Sequence, residues 1–166
     1  IIVRGKEWNP GVIGIDTDRL KERFLRPAII ISNEANNPYL RGSVRSIPSI
    51  NMYNLIDEVG EDFRNELNRP LYRNEITTKE GKREVFTFGG HSQACGFCLH
   101  EEDFEDFKSR IKEKLNSLSK HAFRYSYEIV DELQFHEINR KLLDDLEKLM
   151  PYGQQFEYPV FTMKNV

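Results

Sequence analysis

The sequence predicts a mixed α/β fold (α+β class), a mixed β-sheet with flanking helices, followed by a linker helix. Two observations carry this. Short β-branched runs at Ile1 to Val3 and Ala28 to Ile31 enclose an apolar stripe at helical spacing. Two further helical stripes, beginning at Met52 and Phe104, each follow a strand-like segment. There is no internal repeat and no low-complexity stretch.

Ile1 to Val3 is bounded by Gly5, and Trp8-Asn9-Pro10-Gly11 reads as a loop closing onto a helix start, with Pro10 suited to the first turn. Ile13, Thr17, Leu20 and Phe24 form the helical stripe, and Arg23, Arg26 and Pro27 mark its end. Ala28 to Ile31 is apolar without a break, as in a strand buried on both faces. Gly42 to Ile47 predicts the next strand, stopped by Pro48. Met52, Leu55, Ile56, Val59, Phe63 and Leu67 predict a helix behind an Asn51 N-cap. Residues 68–84 are polar and predict an exposed hairpin or loop, with a turn at Lys79-Glu80-Gly81-Lys82.

Val85, Phe86 and Phe88 lead into Gly89-Gly90-His91, and Gly96 to Leu99 reads as a strand. Phe104, Phe107, Ile111, Leu115 and Leu118 make an amphipathic helix, with Glu101, Glu102 and Asp103 at its positive end. Phe123, Tyr125, Tyr127 and Ile129 alternate at period 2. Ile138, Leu142, Leu146 and Leu149 return to helical spacing before Pro151, and Tyr158 to Met163 begins another strand. The expected organisation is one domain over 1–121 and a second region over 122–166.

At 166 residues the chain is long enough to bury a core, and 39% hydrophobic against 31% charged residues excludes a disordered or collagen-like chain. The longest aliphatic run, Ala28 to Ile31, is far below the roughly 18 to 20 residues of a membrane helix, so no membrane is expected as a partner. The first residue is Ile1 rather than Met, and the chain reads as a piece of a longer protein. Cys95 and Cys98 are too few and too close to staple a secreted scaffold, which points to the cytoplasm. A net charge of -3 excludes a strongly basic nucleic-acid footprint. Residues 1–83 carry 14 basic and 12 acidic side chains and residues 84–166 carry 10 and 15, so an anion site belongs to the first half.

His91, Cys95, Cys98 and His100 are four possible zinc ligands within ten residues. On a strand, however, Cys95 and Cys98 point to opposite faces, so small buried thiols are expected and no metal. The same spacing matches a redox pair, which would normally open a helix. Asp16 with Asp18, and Asp144 with Asp145, lie at helix positions and read as solvated faces. More informative is the strand from Gly42: Ser43 and Arg45 share one face there, a hydroxyl beside a planar guanidinium fork suited to phosphate. Gly89 and Gly90, without side chains, let backbone N–H groups approach an anion before His91, as in an anion-binding nest. Together these predict a phosphate clamp joining residues 46 positions apart in sequence.

The same residues carry a family resemblance. Trp8-Asn9-Pro10-Gly11-Val12-Ile13-Gly14-Ile15 with Arg19-Leu20, Arg26-Pro27, Gly42 to Pro48 with Tyr53, and Phe88-Gly89-Gly90-His91 with Ala94 and Gly96 resemble the DHH-associated domain of the RecJ family. Asp131-Glu132-Leu133, Pro151-Tyr152-Gly153 and Glu157 to Phe161 resemble the incomplete entrance to that family's oligonucleotide-binding (OB) fold. The resemblance implies a parent that degrades single-stranded DNA from its 5′ end, in DNA repair and recombination. It places Mn²⁺ or Mg²⁺ in a separate DHH domain of the same parent chain, which is the second expected partner besides single-stranded DNA. For this chain it implies no metal and no cleavage of its own. Gly42, Ser43, Arg45, Ser46, Gly89 and Gly90 would hold substrate, and His91 would face the scissile region. The family usually has His where Asn9 stands, and Asp16-Thr17-Asp18 replaces a less acidic stretch. Two other readings remain open at this point: a DHH-type phosphodiesterase for short oligonucleotides or cyclic dinucleotides, and a nuclease-inactive replication scaffold.

Overall fold

The computed structural model describes residues 1–124, 127–153 and 156–164. It divides into two units, Ile1–Tyr125 and Ser126–Val166. The first unit is built on a five-stranded mixed sheet in the order β1-β2-β3-β7-β6. β1 (Ile2–Lys6) leads through α1 (Ile13–Phe24) to β2 (Ala28–Asn33), and the two strands pair in parallel, as a helical crossover permits. β3 (Tyr39–Arg45) then adds antiparallel to β2. α2 (Met52–Leu67) follows, begun by the Asn51 side chain, which accepts a hydrogen bond from the Asn54 N–H at 3.0 Å.

The expected hairpin forms, β4 (Arg73–Thr78) pairing with β5 (Gly81–Phe86) as a separate two-stranded sheet, but the segment is not exposed throughout: Leu71 and Tyr72 enter the core and Arg73 is buried. β6 (Phe88–His91) and β7 (Ala94–His100) form a second hairpin that completes the main sheet, β7 lying beside β3. A short 3-10 turn at Glu101–Asp103 opens into α3 (Phe104–Ser117).

Alternation along the strands sorts the sheet into two faces. Leu40 and Val44 of β3 and Cys95, Phe97 and Leu99 of β7 enter one buried cluster with Met52, Ile56, Val59 and Phe63 of α2 and Phe104, Phe107 and Ile111 of α3. The other face is covered by α1 over β2 and β3, with Ile13 and Thr17 buried against it. β2 is therefore buried on both faces, as its unbroken apolar run requires. α1 does not extend over β7 and β6. That uncovered half of the face holds the candidate site.

Three expectations change. Gly89 and Gly90 lie in an extended edge strand and not in a nest, because register with β7 places them opposite Gly96 and Cys95. The alternating residues from Phe123 do not extend a strand back from Ile129. Phe123 ends a 3-10 turn at Lys120–Phe123 and packs against the core, held there as Arg26 donates to the Phe123 carbonyl at 2.9 Å and Ser49 to the Ala122 carbonyl at 2.6 Å. Tyr125 lies outside the described residues. The predicted helix from Ile138 is shorter, because the Asn139 side chain caps it by accepting from the Leu142 N–H at 3.2 Å.

In the second unit, β8 (Ile129–Glu132) and β9 (Val160–Thr162) pair in parallel, and α4 (Arg140–Glu147) lies between them in sequence. Tyr152 stacks on Phe156 at 5.3 Å between ring centres, and its hydroxyl donates to the Leu146 carbonyl. None of this unit's described residues is buried. Among the described residues no helix is long and apolar enough to cross a membrane.

Candidate nucleic-acid interface

The hollow beside the start of α1 has a volume of about 470 Å³, within the usual range of small-ligand sites. Its floor runs from β3, at the edge of α1, onto uncovered β7: β3 presents Arg41, Ser43 and Arg45 at alternate positions and β7 presents Gly96. Gly89 and Gly90 of β6 form one side, and Pro10, Gly11 and Gly14 at the beginning of α1 form the other. Pro10 has no N–H, and that of Gly11 is donated to Asn9 Oδ1 at 2.8 Å.

Arg45 is the cation that the hollow holds most firmly. Its Nε donates to Asp18 Oδ2 at 2.8 Å, and its Nη1 donates to the Val44 carbonyl at 3.0 Å. The Ser43 hydroxyl lies 3.5 Å from the same Nη1. A methyl group at Gly14 would stand 3.3 Å from Arg45 Nη2 and 3.7 Å from Ser43 Oγ, so the absent side chain leaves this corner open. Asp18 also accepts from Lys21 Nζ at 3.0 Å. Burial alone would raise the Asp18 carboxyl, but the hydrogen bonds and charges of Arg45 and Lys21 outweigh it and hold the group below its ordinary value.

The predicted residues distribute as follows. Gly42, Ser43, Arg45, Gly89 and Gly90 all line the hollow, joining segments far apart in sequence. The side-chain side of Gly42 is filled by the Phe97 ring, leaving only its backbone toward the hollow. Gly90, at φ 138°, passes so close to the Ala94 carbonyl and the Cys95 backbone that any side chain would collide. Ser46 is not brought there: it is buried and donates to the Ile50 carbonyl at 2.6 Å. His91 is exposed at the end of β6, opposite Ala94, and is not among the residues that line the hollow.

Sequence reasoning misses Arg41, Gly14 and Asp18. Arg41 shares the alternation of Ser43 and Arg45 but stands one residue before Gly42, where the sequence suggests that the strand begins. Gly14 and Asp18, four apart on α1, share one helix face, a spacing visible in the sequence. What it does not show is which strand that face meets.

A second hollow, about 590 Å³, lies on the other side of α1 around Trp8, Val12 and Leu20. Of its arginines, Arg19 pairs with Asp16 of the same lining at 3.4 Å and Arg23 lies over the Phe24 ring. Among the described residues no three His, Cys, Asp or Glu side chains converge as a metal site requires. Cys95 faces the core and Cys98 the opposite side of β7, and both are buried free thiols. Burial pushes the Cys95 thiol up to about 12 and raises that of Cys98, which leaves neither as a reactive thiolate at neutral pH.

The DHHA1 domain family matches residues 1–117, and the RecJ OB domain family matches residues 130–166. The single-stranded-DNA-specific exonuclease RecJ of Bacillus subtilis (strain 168) is 28% identical over 99% of this chain, which spans 18% of that protein. The protein of the same name from Salmonella typhimurium is 31% identical over 93% of the chain and 24% of the relative. The crystal structure of RecJ in complex with Mg²⁺ from Thermus thermophilus superposes with a TM-score of 0.65 at 25% identity, covering 97% of this chain and 21% of that one. The chain thus spans about a fifth to a quarter of the length of these relatives. With 117 consecutive residues matched, the chain belongs to the DHHA1 domain family, and the segment that follows is matched by the OB domain of RecJ.

Proposed function

We propose that this chain is the substrate-holding part of a RecJ-type exonuclease specific for single-stranded DNA, gripping the phosphate backbone while cleavage takes place on a DHH domain of the same parent chain. The observation that carries the reading is the hollow itself, where Arg41, Ser43 and Arg45 of one strand face backbone-rich walls from β6 and the start of α1. Planar forked donors and hydroxyls suit phosphate, and this corner offers both. Residues 1–121 form the substrate-binding domain in this reading, and residues 122–166 the linker and the start of the OB-fold region. His91, exposed beside the glycines, faces the scissile region. The parent works in the cytoplasm, in DNA repair and recombination, with Mn²⁺ or Mg²⁺ bound outside this chain.

In the parent protein, Arg45→Ala is expected to weaken binding of single-stranded DNA about equally for all sequences, because phosphate contacts carry no base information. The salt dependence should flatten by about 0.7 in log-log slope for each phosphate that the variant no longer neutralises. Binding titrations over a salt series check this, and an unchanged slope and affinity would reject the phosphate grip.

The 166-residue chain alone is expected to release no nucleotides from single-stranded DNA in the presence of Mn²⁺. It contains no Asp-His-His triplet, and two-metal hydrolysis needs a set of convergent acidic and His donors. Metal-dependent degradation by the purified chain would overturn this division of labour.

A further inference from the structure

We infer that Asp18 is a positioning residue for the phosphate grip: it locks the Arg45 guanidinium so that its Nη2 edge faces the hollow at Gly14. The inference rests on the proposed phosphate reading of that hollow and adds the group that orients it. Arg45 is held on two of its three nitrogens. Nε donates to Asp18 at 2.8 Å and Nη1 to the Val44 carbonyl at 3.0 Å, the first across from α1 and the second from its own strand. These two bonds fix both the position and the plane of the fork. Nη2 stands over Gly14, where a methyl group would approach it to 3.3 Å, and no described residue accepts its hydrogens.

The charge balance suits this role. Asp18 alone would cancel Arg45 and make the corner a poor anion site. Lys21 Nζ takes the other carboxylate oxygen at 3.0 Å, so the trio of Arg45, Lys21 and Asp18 keeps one net positive charge. The carboxyl, held below its ordinary value, remains the acceptor Arg45 needs throughout the neutral range. A flexible arginine would lose rotamer freedom on gripping a phosphate, and here that freedom is removed beforehand.

Positioning and simple electrostatics predict opposite signs. Asp18→Ala removes a negative charge beside the hollow, so a purely electrostatic role would tighten single-stranded DNA binding. Loss of positioning weakens it, by about tenfold if half of a charge-assisted contact is forfeited. Asp18→Asn keeps an oxygen that can accept from Nε, and is expected to bind at least as tightly as the native protein. The test measures affinity for an oligothymidylate in the parent protein for Asp18→Ala, Asp18→Asn and Arg45→Ala, with circular dichroism confirming each fold. Weakening by Asp18→Ala with rescue by Asp18→Asn supports the inference, as does a matching loss in Arg45→Ala. If Arg45→Ala weakens binding while Asp18→Ala leaves it unchanged or tightens it, the positioning role is overturned and the phosphate grip stands. If Asp18→Asn weakens binding as much as Asp18→Ala, an acceptor oxygen in the same place does not restore the grip and the orienting bond is not responsible, which also overturns it. An unchanged Arg45→Ala protein overturns both.

Discussion

Asp103→Ala is expected to destabilise the first unit by about 3 kcal/mol, the lower end of the cost of breaking a buried ion pair. Asp103 is only 4% exposed and accepts two bonds from Arg69, at 2.6 and 2.9 Å, while Arg73 Nη2 lies 3.1 Å from its Oδ2. Arg73, with a side chain 7% exposed, is the group left stranded by the substitution. Glu102 at 2.9 Å and Glu84 at 3.4 Å remain to it, which keeps the loss from rising further. The network ties the β4–β5 hairpin and the chain after α2 to the start of α3, so the loss falls on tertiary structure rather than on any one helix. Denaturant titration of the variant measures it through the midpoint at constant slope. A loss below about 1 kcal/mol would mean that the arginines find equivalent partners, as exposed pairs do.

Gly42→Ala is expected to cost about 3 kcal/mol, the upper end of ordinary overpacking. An added methyl group would sit 2.3 Å from Phe97 Cζ and within 2.6 Å of two further ring carbons. The ring cannot step aside: Phe107 holds it at 4.9 Å between centres and Tyr72 at 5.5 Å. Relief must come from shifting β3 against β7, the pairing that places Ser43 opposite Gly96 and Arg45 opposite Ala94. The variant is therefore expected to lose affinity for single-stranded DNA along with stability. Calorimetry and binding titration of the same preparation check both. Weakened binding with unchanged stability would instead make Gly42 a contact residue only.

Much of the architecture is legible in the sequence because it is local. The stripes of α2 and α3 each report a helix, and the Asn51 cap marks where one begins. The unbroken apolar run of β2 reports burial on two faces. Ser43 and Arg45 are legible as a pair because strand alternation puts every second residue on the same side. The misreadings fall where local pattern and tertiary register compete. Phe123 fits an alternating strand by itself, yet Ser49 and Arg26 hold its turn against the core. Gly89-Gly90 is turn-like by composition, yet pairing with β7 extends it.

By itself, then, the sequence determined the long helices, the apolar central strand, the apolar faces of those helices, and that one strand carries a hydroxyl and a guanidinium together. Only the tertiary structure decided what those groups meet. Sheet order brings β6 beside β7 and β7 beside β3, which joins Gly89 to the Ser43 and Arg45 face. The length and seating of α1 leave that half of the face open and set Asp18 on Arg45. Ser46, one residue past Arg45, falls on the opposite side with Val44 by alternation, and only the fold supplies the Ile50 carbonyl that takes its hydroxyl. The physical reason is range: periodicity records the geometry of neighbours along the chain, whereas a site is assembled by packing between elements whose order and register no local pattern encodes.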